Sequence, residues 1–214
     1  MDNFFTLVLI AVAAGAGFLV WRANRGGKAG GQSLPGHAAP VSTELVIENM
    51  QAGGVFAIRA FGAAMEDLDI KVLNRHLYRE GRFEWIELEG ETAAGTLWLE
   101  VEIDDEKMIS VTLRKVDLSD IGLSREQLEQ IDDDEAGGFT YEGVEYVYKE
   151  SDAAVFYRNS NPNDGEKFYY WDFVEKGGEL SIGVEKWEDG SFICSLSQAV
   201  RESQITVYSL SGDG

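Results

Sequence analysis

The sequence predicts an all-β domain, an antiparallel sandwich or barrel built of two similar halves joined by a short helix, after one N-terminal transmembrane helix. Three observations carry this expectation. Phe4 to Trp21 is a run of 18 residues without a charged side chain. From Thr43 onward, stretches rich in β-branched and aromatic residues are separated by Gly, Asn and Asp, the composition of strands and turns. The stretch Phe83 to Leu113 recurs in part as Tyr169 to Leu196.

The recurrence is clearest in its second part. Leu97, Leu99 and Val101 alternate with Trp98, Glu100 and Glu102; Leu180, Ile182 and Val184 alternate in the same way, 83 positions later. A period of two places successive side chains on opposite faces of a strand. Acidic turns follow both runs, and Ile109, Val111 and Leu113 are then matched by Phe192, Cys194 and Leu196 at the same spacing, so each copy reads as a β-hairpin. Upstream, Trp85 aligns with Trp171 and Glu89 with Glu175 at a spacing of 86, and Gly53-Gly54 and Gly137-Gly138 open the two halves.

In chain order, residues 1–21 read as a membrane anchor. At 1.5 Å per residue the apolar run covers ~27 Å as a helix, close to the ~30 Å hydrocarbon core. Asp2 precedes it while Arg22, Arg25 and Lys28 follow, which argues against a cleaved signal peptide and keeps residues 22–214 in the cytoplasm. The expected location is therefore the inner (cytoplasmic) membrane, single-pass, with membrane lipid as a partner of the helix. Ala11 with Gly15 and Ala13 with Gly17 are small residues four apart, a face that could pair two such helices in a homodimer. Residues 22–42 are Gly, Ala, Ser and Pro without apolar period, a flexible basic tether spanning roughly 25 Å. Residues 43–210 form the β-rich acidic domain, and 211–214 a tail.

Within the domain, strands are expected at 55–61, 70–78, 83–88, 96–103, 108–116, 139–148, 153–158, 168–175, 180–186, 192–200 and 205–208, with a short strand over 43–51. Short connections such as Asp104 to Lys107 favour antiparallel neighbours. Glu142-Gly143 is a candidate tight turn. Ser124, with Gln127 three residues on, caps a helix over Arg125 to Ile131 that links the halves.

Charge excludes some functions. The chain carries −20; Asp2 against Arg22, Arg25 and Lys28 leaves residues 1–42 at +2, so residues 43–214 carry −22. Phosphate contact needs a basic surface, so no nucleic acid is expected as a partner. No P-loop, dinucleotide-binding glycine motif or nucleophile elbow occurs in the domain, and no cofactor is expected. His76 is the domain's one histidine and reads as a partly exposed strand residue in phase with Asn74 and Tyr78; Cys194, the one cysteine, reads as a core thiol of a reducing compartment. Two His and one Cys cannot build a structural zinc site without carboxylates, and Asp132-Asp133-Asp134-Glu135 lacks EF-hand spacing, so it reads as a solvated loop and no metal is expected.

Trp85 shares a strand face with Glu87 while Ile86 and Leu88 take the other, and Trp98 falls beside Glu100 and Glu102. Aromatic faces beside carboxylates suit ammonium groups. The ligand-binding residues expected on this ground are Glu102, Glu185, Trp85, Trp98 and Trp171, with no catalytic set. W-I-E-L at 85–88, W-L-E-V-E at 98–102, the acidic turn, Y-W-D-F at 170–173 and V-E-K-W-E at 184–188 together resemble the bacterial family catalogued as domain of unknown function 4178, over most of Leu45 to Tyr208. That family has no established activity; the resemblance implies a membrane-associated accessory role, near membrane-stress proteins of the phage-shock type and polyamine synthesis. The reading that combines these is a non-enzymatic, membrane-anchored interaction module offering an acidic β-domain to a basic or membrane protein partner. The alternative is a sensor of a cationic small ligand such as a polyamine; a deep pocket containing Glu102 or Glu185 favours the sensor, filled interiors with a flat acidic face the interaction module.

Overall fold

The computed structural model describes residues 43–62 and 64–211. The anchor, the tether, the Ala11, Gly15, Ala13 and Gly17 face, and residues 212–214 lie outside the described residues. Among the described residues no helix is long and apolar enough to cross a membrane.

Among the described residues eleven strands follow one another as β1 (Gly53–Phe61), β2 (Glu66–Glu80), β3 (Phe83–Thr92), β4 (Gly95–Ile103), β5 (Lys107–Val116), β6 (Gly138–Tyr141), β7 (Val144–Tyr157), β8 (Gly165–Glu175), β9 (Leu180–Trp187), β10 (Phe192–Ala199) and β11 (Ile205–Ser211). The helix α1 (Arg125–Asp134) lies between β5 and β6. All strands belong to one antiparallel sheet in the order β11-β1-β2-β3-β4-β5-β10-β9-β8-β7-β6. The first five form one meander and the next five another, joined edge to edge through β5 and β10. A further pairing, Leu77–Tyr157, Tyr78–Phe156 and Arg79–Val155, brings β2 against β7. It closes a circuit of eight strands, β2-β3-β4-β5-β10-β9-β8-β7, from which β1, β11 and β6 branch.

The period of two sets the layers. Leu88 faces Leu99, which faces Val111, while Ile86 faces Val101, which faces Ile109. In the second meander Phe173 faces Ile182 and Trp171 faces Val184, with Leu196 and Cys194 beyond them. The aliphatic phase of each meander thus builds its own core. Phe56, Ile58, Ile70 and Val72 complete the first core; Tyr146 with Leu128 and Ile131 of α1 completes the second. Burying a side chain of this size stabilises by roughly 1.5–3 kcal/mol. Where β2 meets β7 the filling is aromatic: Tyr78, Phe156, Phe168 and Tyr170 are buried, with Trp85 and Trp187 against them.

Local signals explain the connections. Glu142 and Gly143 both have positive φ, 49° and 82°, the conformation of a two-residue hairpin turn, so the expected strand over 139–148 is in fact β6, this turn and the start of β7. Ser124 accepts from the Gln127 N–H, and Gln127 caps back onto Ser124, starting α1 as expected.

Three expectations are corrected. Thr43 to Gln51 is not a strand: Ile47–Asn49 is a 3₁₀ turn, because Ile47 and Met50, three residues apart, both bury into the first core. Asp132, Asp133 and Asp134 are the last turn of α1 rather than a loop, and Asp132 accepts from the hydroxyls of Tyr169 and Ser151. His76 is not partly exposed; it is 2% exposed, held between Trp98 and Phe156.

Candidate functional site: a carboxylate cluster on the polar face

On the face opposite the aliphatic cores, the alternation that buries Ile86 and Leu88 turns Glu87 the other way, and the alternation of Leu99 and Val101 does the same for Glu100. Register then sets Glu87 opposite Glu100 and Trp85 opposite Glu102. From the second meander come Asp172, opposite Glu150 on one side and Gly183 on the other, and Glu185, opposite Tyr170. Six carboxylates, Glu87, Glu100, Glu102, Glu150, Asp172 and Glu185, interact through a shared field that includes two ammonium groups, Lys115 and Lys149.

The electrostatics follow from this crowding. Burial pushes Glu87 up to about 7, against the Tyr78 hydroxyl, which donates to it at 2.9 Å, and against Lys115. Burial and then the Glu87 charge push Glu185 up to about 8, against the Trp187 indole N–H, which donates at 3.2 Å. Burial and the Asp172, Glu102 and Glu87 carboxylates raise Glu100 well above the carboxylate range. Water nonetheless reaches Glu100, which is exposed by surface area, so like-charge crowding outweighs dehydration there. Burial works against the charge of Lys149, and Asp172, Glu150 and Glu102 overcome it, raising its pKa.

Aromatic rings border the cluster. Trp98 stacks on His76 at 5.7 Å between centroids, and the Lys115 Nζ lies 5.8 Å from the Trp98 ring. An ammonium beside an aromatic face and near carboxylates is therefore already present within the protein itself. His76 accepts from the Asn159 N–H at Nδ1; its Nε2 is buried without a hydrogen-bond partner, 3.8 Å from Glu89. Burial lowers the His76 pKa, Glu89 raises it and Arg158 lowers it, so the ring is neutral at pH 7.

Of the sequence-predicted residues, Glu102 and Glu185 belong to the cluster and Trp98 stands at its border. Trp85 is an aromatic-layer residue, stacked on Tyr78 at 5.2 Å and meeting Tyr170 at 6.2 Å. Trp171 is on the opposite face, 4% exposed in the second core. The spacing of 86 that aligns it with Trp85 is off by one: with Glu102 and Glu185 equivalent, register makes Tyr170 the counterpart of Trp85, and a one-residue slip reverses the face. Sequence reasoning misses Glu87, Glu100, Glu150, Asp172, Lys115 and Lys149. A signal exists for two of them, since Glu87 and Glu100 each sit between aliphatic neighbours in the polar phase. Among the described residues no group of His, Cys, Asp and Glu is arranged to hold a metal ion.

The fold and site define an all-β domain with a carboxylate-crowded polar face inside a closed strand circuit. The chain matches the family model described as domain of unknown function DUF4178 over residues 67–202, and belongs to that family. No curated protein and no solved structure matches it.

Proposed function

We propose that this domain binds a small organic polycation, of the alkylammonium class that includes polyamines, on the carboxylate face of its eight-strand barrel. The observation that carries the reading is the convergence of Glu87, Glu100 and Glu185 with Glu102 and Asp172 from both meanders. Among the described residues no hydrogen-bond donor is paired with the Glu100 carboxylate, and water reaches it. Lys115 near Trp98 supports the same chemistry, an ammonium accommodated between ring and carboxylates. Without ligand, protons neutralise part of the cluster; a bound polycation takes over that role and displaces them. Affinity therefore rises from pH 6 to pH 9, as groups with pKa near 7 and 8 ionise. No covalent step is involved. In this reading the two meanders are a duplicated unit, and the N-terminal anchor and basic tether hold the acidic domain near, but off, the anionic inner leaflet.

The test uses the full chain in detergent, melted with and without spermidine at low and moderate salt. A rise in Tm that saturates, survives moderate salt and is lost in Glu100→Gln and Glu185→Gln supports the reading. A rise that vanishes with salt, or persists in both variants, overturns it in favour of a solvated acidic surface.

A further inference from the structure

A cleft lies on the other face of the same β8–β9 hairpin. It measures about 330 Å³ and opens between α1 and the paired ends of these strands, bordered by Glu129 and Asp132 of α1 and by Lys167, Tyr169, Trp171 and Lys186. Its volume falls at the small end of the ~300–1,000 Å³ range of small-molecule sites. Strand register puts it there: Lys186 is opposite Tyr169, and Lys167, Tyr169 and Trp171 follow one another in the same phase of β8. Phe168 and Trp187 also border it, from the opposite phase, with their rings stacked at 5.1 Å in the aromatic layer.

The hydrogen-bonding capacity left over in this cleft is one-sided. Trp171 is 4% exposed, and its indole N–H is buried with no acceptor. Leaving a buried donor without an acceptor is costly, so it marks a place where an acceptor is missing. Lys167 and Lys186 have no ion pair among the described residues. The acceptors on the α1 side are already used: Asp132 receives the Tyr169 and Ser151 hydroxyls, and Glu129 pairs with Arg125 at 3.2 Å. Glu188 is exposed at the rim. Three unspent donors, two of them cationic, face a wall of aromatic rings.

We infer that this cleft binds a small organic carboxylate with a flat apolar body, its carboxylate taken by the Trp171 indole N–H and the Lys167 and Lys186 ammonium groups and its body laid along the Tyr169 ring, 4.7 Å from that of Trp171. The ligand is opposite in charge to the one on the carboxylate face. The two sites occupy alternate residues of one hairpin: Trp171 and Lys186 point to the cleft's side, Asp172 and Glu185 to the other.

The test is an NMR titration of the full chain in detergent, following the Trp171 indole N–H resonance, which is assigned by its loss in Trp171→Phe. Indole-3-acetate and benzoate are the probes, and tryptamine is the charge-reversed control. A saturable resonance change with the acids, none with tryptamine, and a loss of affinity of about tenfold or more in the Lys167→Gln/Lys186→Gln double variant at unchanged Tm supports the assignment. Absence of a change at millimolar acid, an equal change with tryptamine, or undiminished affinity in the double variant overturns it. Glu100→Gln leaves carboxylate binding intact, so this result stands or falls separately from polycation binding.

Discussion

The first meander, β1–β5, and the second, β6–β10, present the same strand order from opposite ends of the sheet, but they differ by face. On the apolar face the counterparts are close: Leu88 and Phe173, Leu99 and Ile182, Val101 and Val184. On the polar face they are not. Where the first meander has Trp85, Glu87, Glu100 and Glu102, the second has Tyr170, Asp172, Gly183 and Glu185 at the same register positions. Packing tolerates only a narrow range of side chains at a core position, so the apolar face is held to one solution twice. The polar face is not held in this way: where the first meander sets Glu100 opposite Glu87, the second sets Gly183, without a side chain, opposite Asp172.

The largest effect should come from the shared apolar face. Leu99 and Ile182 are both 0% exposed at equivalent positions, so Leu99→Ala and Ile182→Ala should each cost about 2–5 kcal/mol. Because β5–β10 and β2–β7 join the meanders at two places, urea unfolding of either variant should remain a single transition. Two separated transitions would show that the meanders are independent units and would break the comparison at its root.

The polar face should behave in the opposite sense. Glu87 and Glu185 have folded pKa values of about 7 and about 8, above the ordinary 4.5, so the folded state holds more protons than the unfolded state between those limits. Their contribution is present below pH 4.5 and is lost as pH rises through 7 and 8. Because the two groups are coupled, the loss belongs to the pair rather than to either carboxylate alone. Glu87→Gln and Glu185→Gln should therefore raise Tm at pH 9 relative to the parent and change it little at pH 5. A variant destabilised equally at both pH values would mean the carboxylates are structural, not strained.

Two glycines sharpen the contrast between faces. A Cβ at Gly90, on the first core's side, would come within 2.3 Å of the Ile70 Cγ2. One at Gly183, on the polar face, would meet only the Asp172 Oδ1 at 3.4 Å. Gly90→Ala should cost about 1–3 kcal/mol through overpacking. Gly183→Ala should be near neutral or slightly stabilising, since neither residue has positive φ and the unfolded chain loses freedom. Thermal melts of the pair would reveal a tightly packed polar face if both variants fell equally.

How much of this is legible in the sequence depends on range. The strands and the capped helix are readable because period two and the Ser124–Gln127 pattern are local. The order of strands is not, since the β5–β10 and β2–β7 pairings join residues some 80 positions apart and leave no pattern in either partner alone. Glu102 and Glu185 are found through the recurrence, whereas Trp171 is grouped with them through its alignment with Trp85, and that alignment is off by one residue, which is worth a whole face. The phase of His76 is readable from its strand but its burial is not; that comes from Phe156, which reaches it only through the β2–β7 closure.

The smallest effect tests what the second meander has and the first lacks. Its core is closed by α1, through Leu128 and Ile131, where the first core is closed by the short turn carrying Ile47 and Met50. The helix has only ten residues, and its start depends on the reciprocal Ser124–Gln127 cap. A helix this short is marginal alone, so packing and capping must both contribute. Ser124→Ala should cost about 1 kcal/mol, Ser124→Asp almost nothing, since aspartate caps equally well. Hydrogen exchange adds the decisive detail: in Ser124→Ala, amides of α1 should exchange faster while those of β3 and β4 keep their protection. Faster exchange across both meanders would instead make α1 a keystone of the whole sheet rather than a lid on one of its two cores.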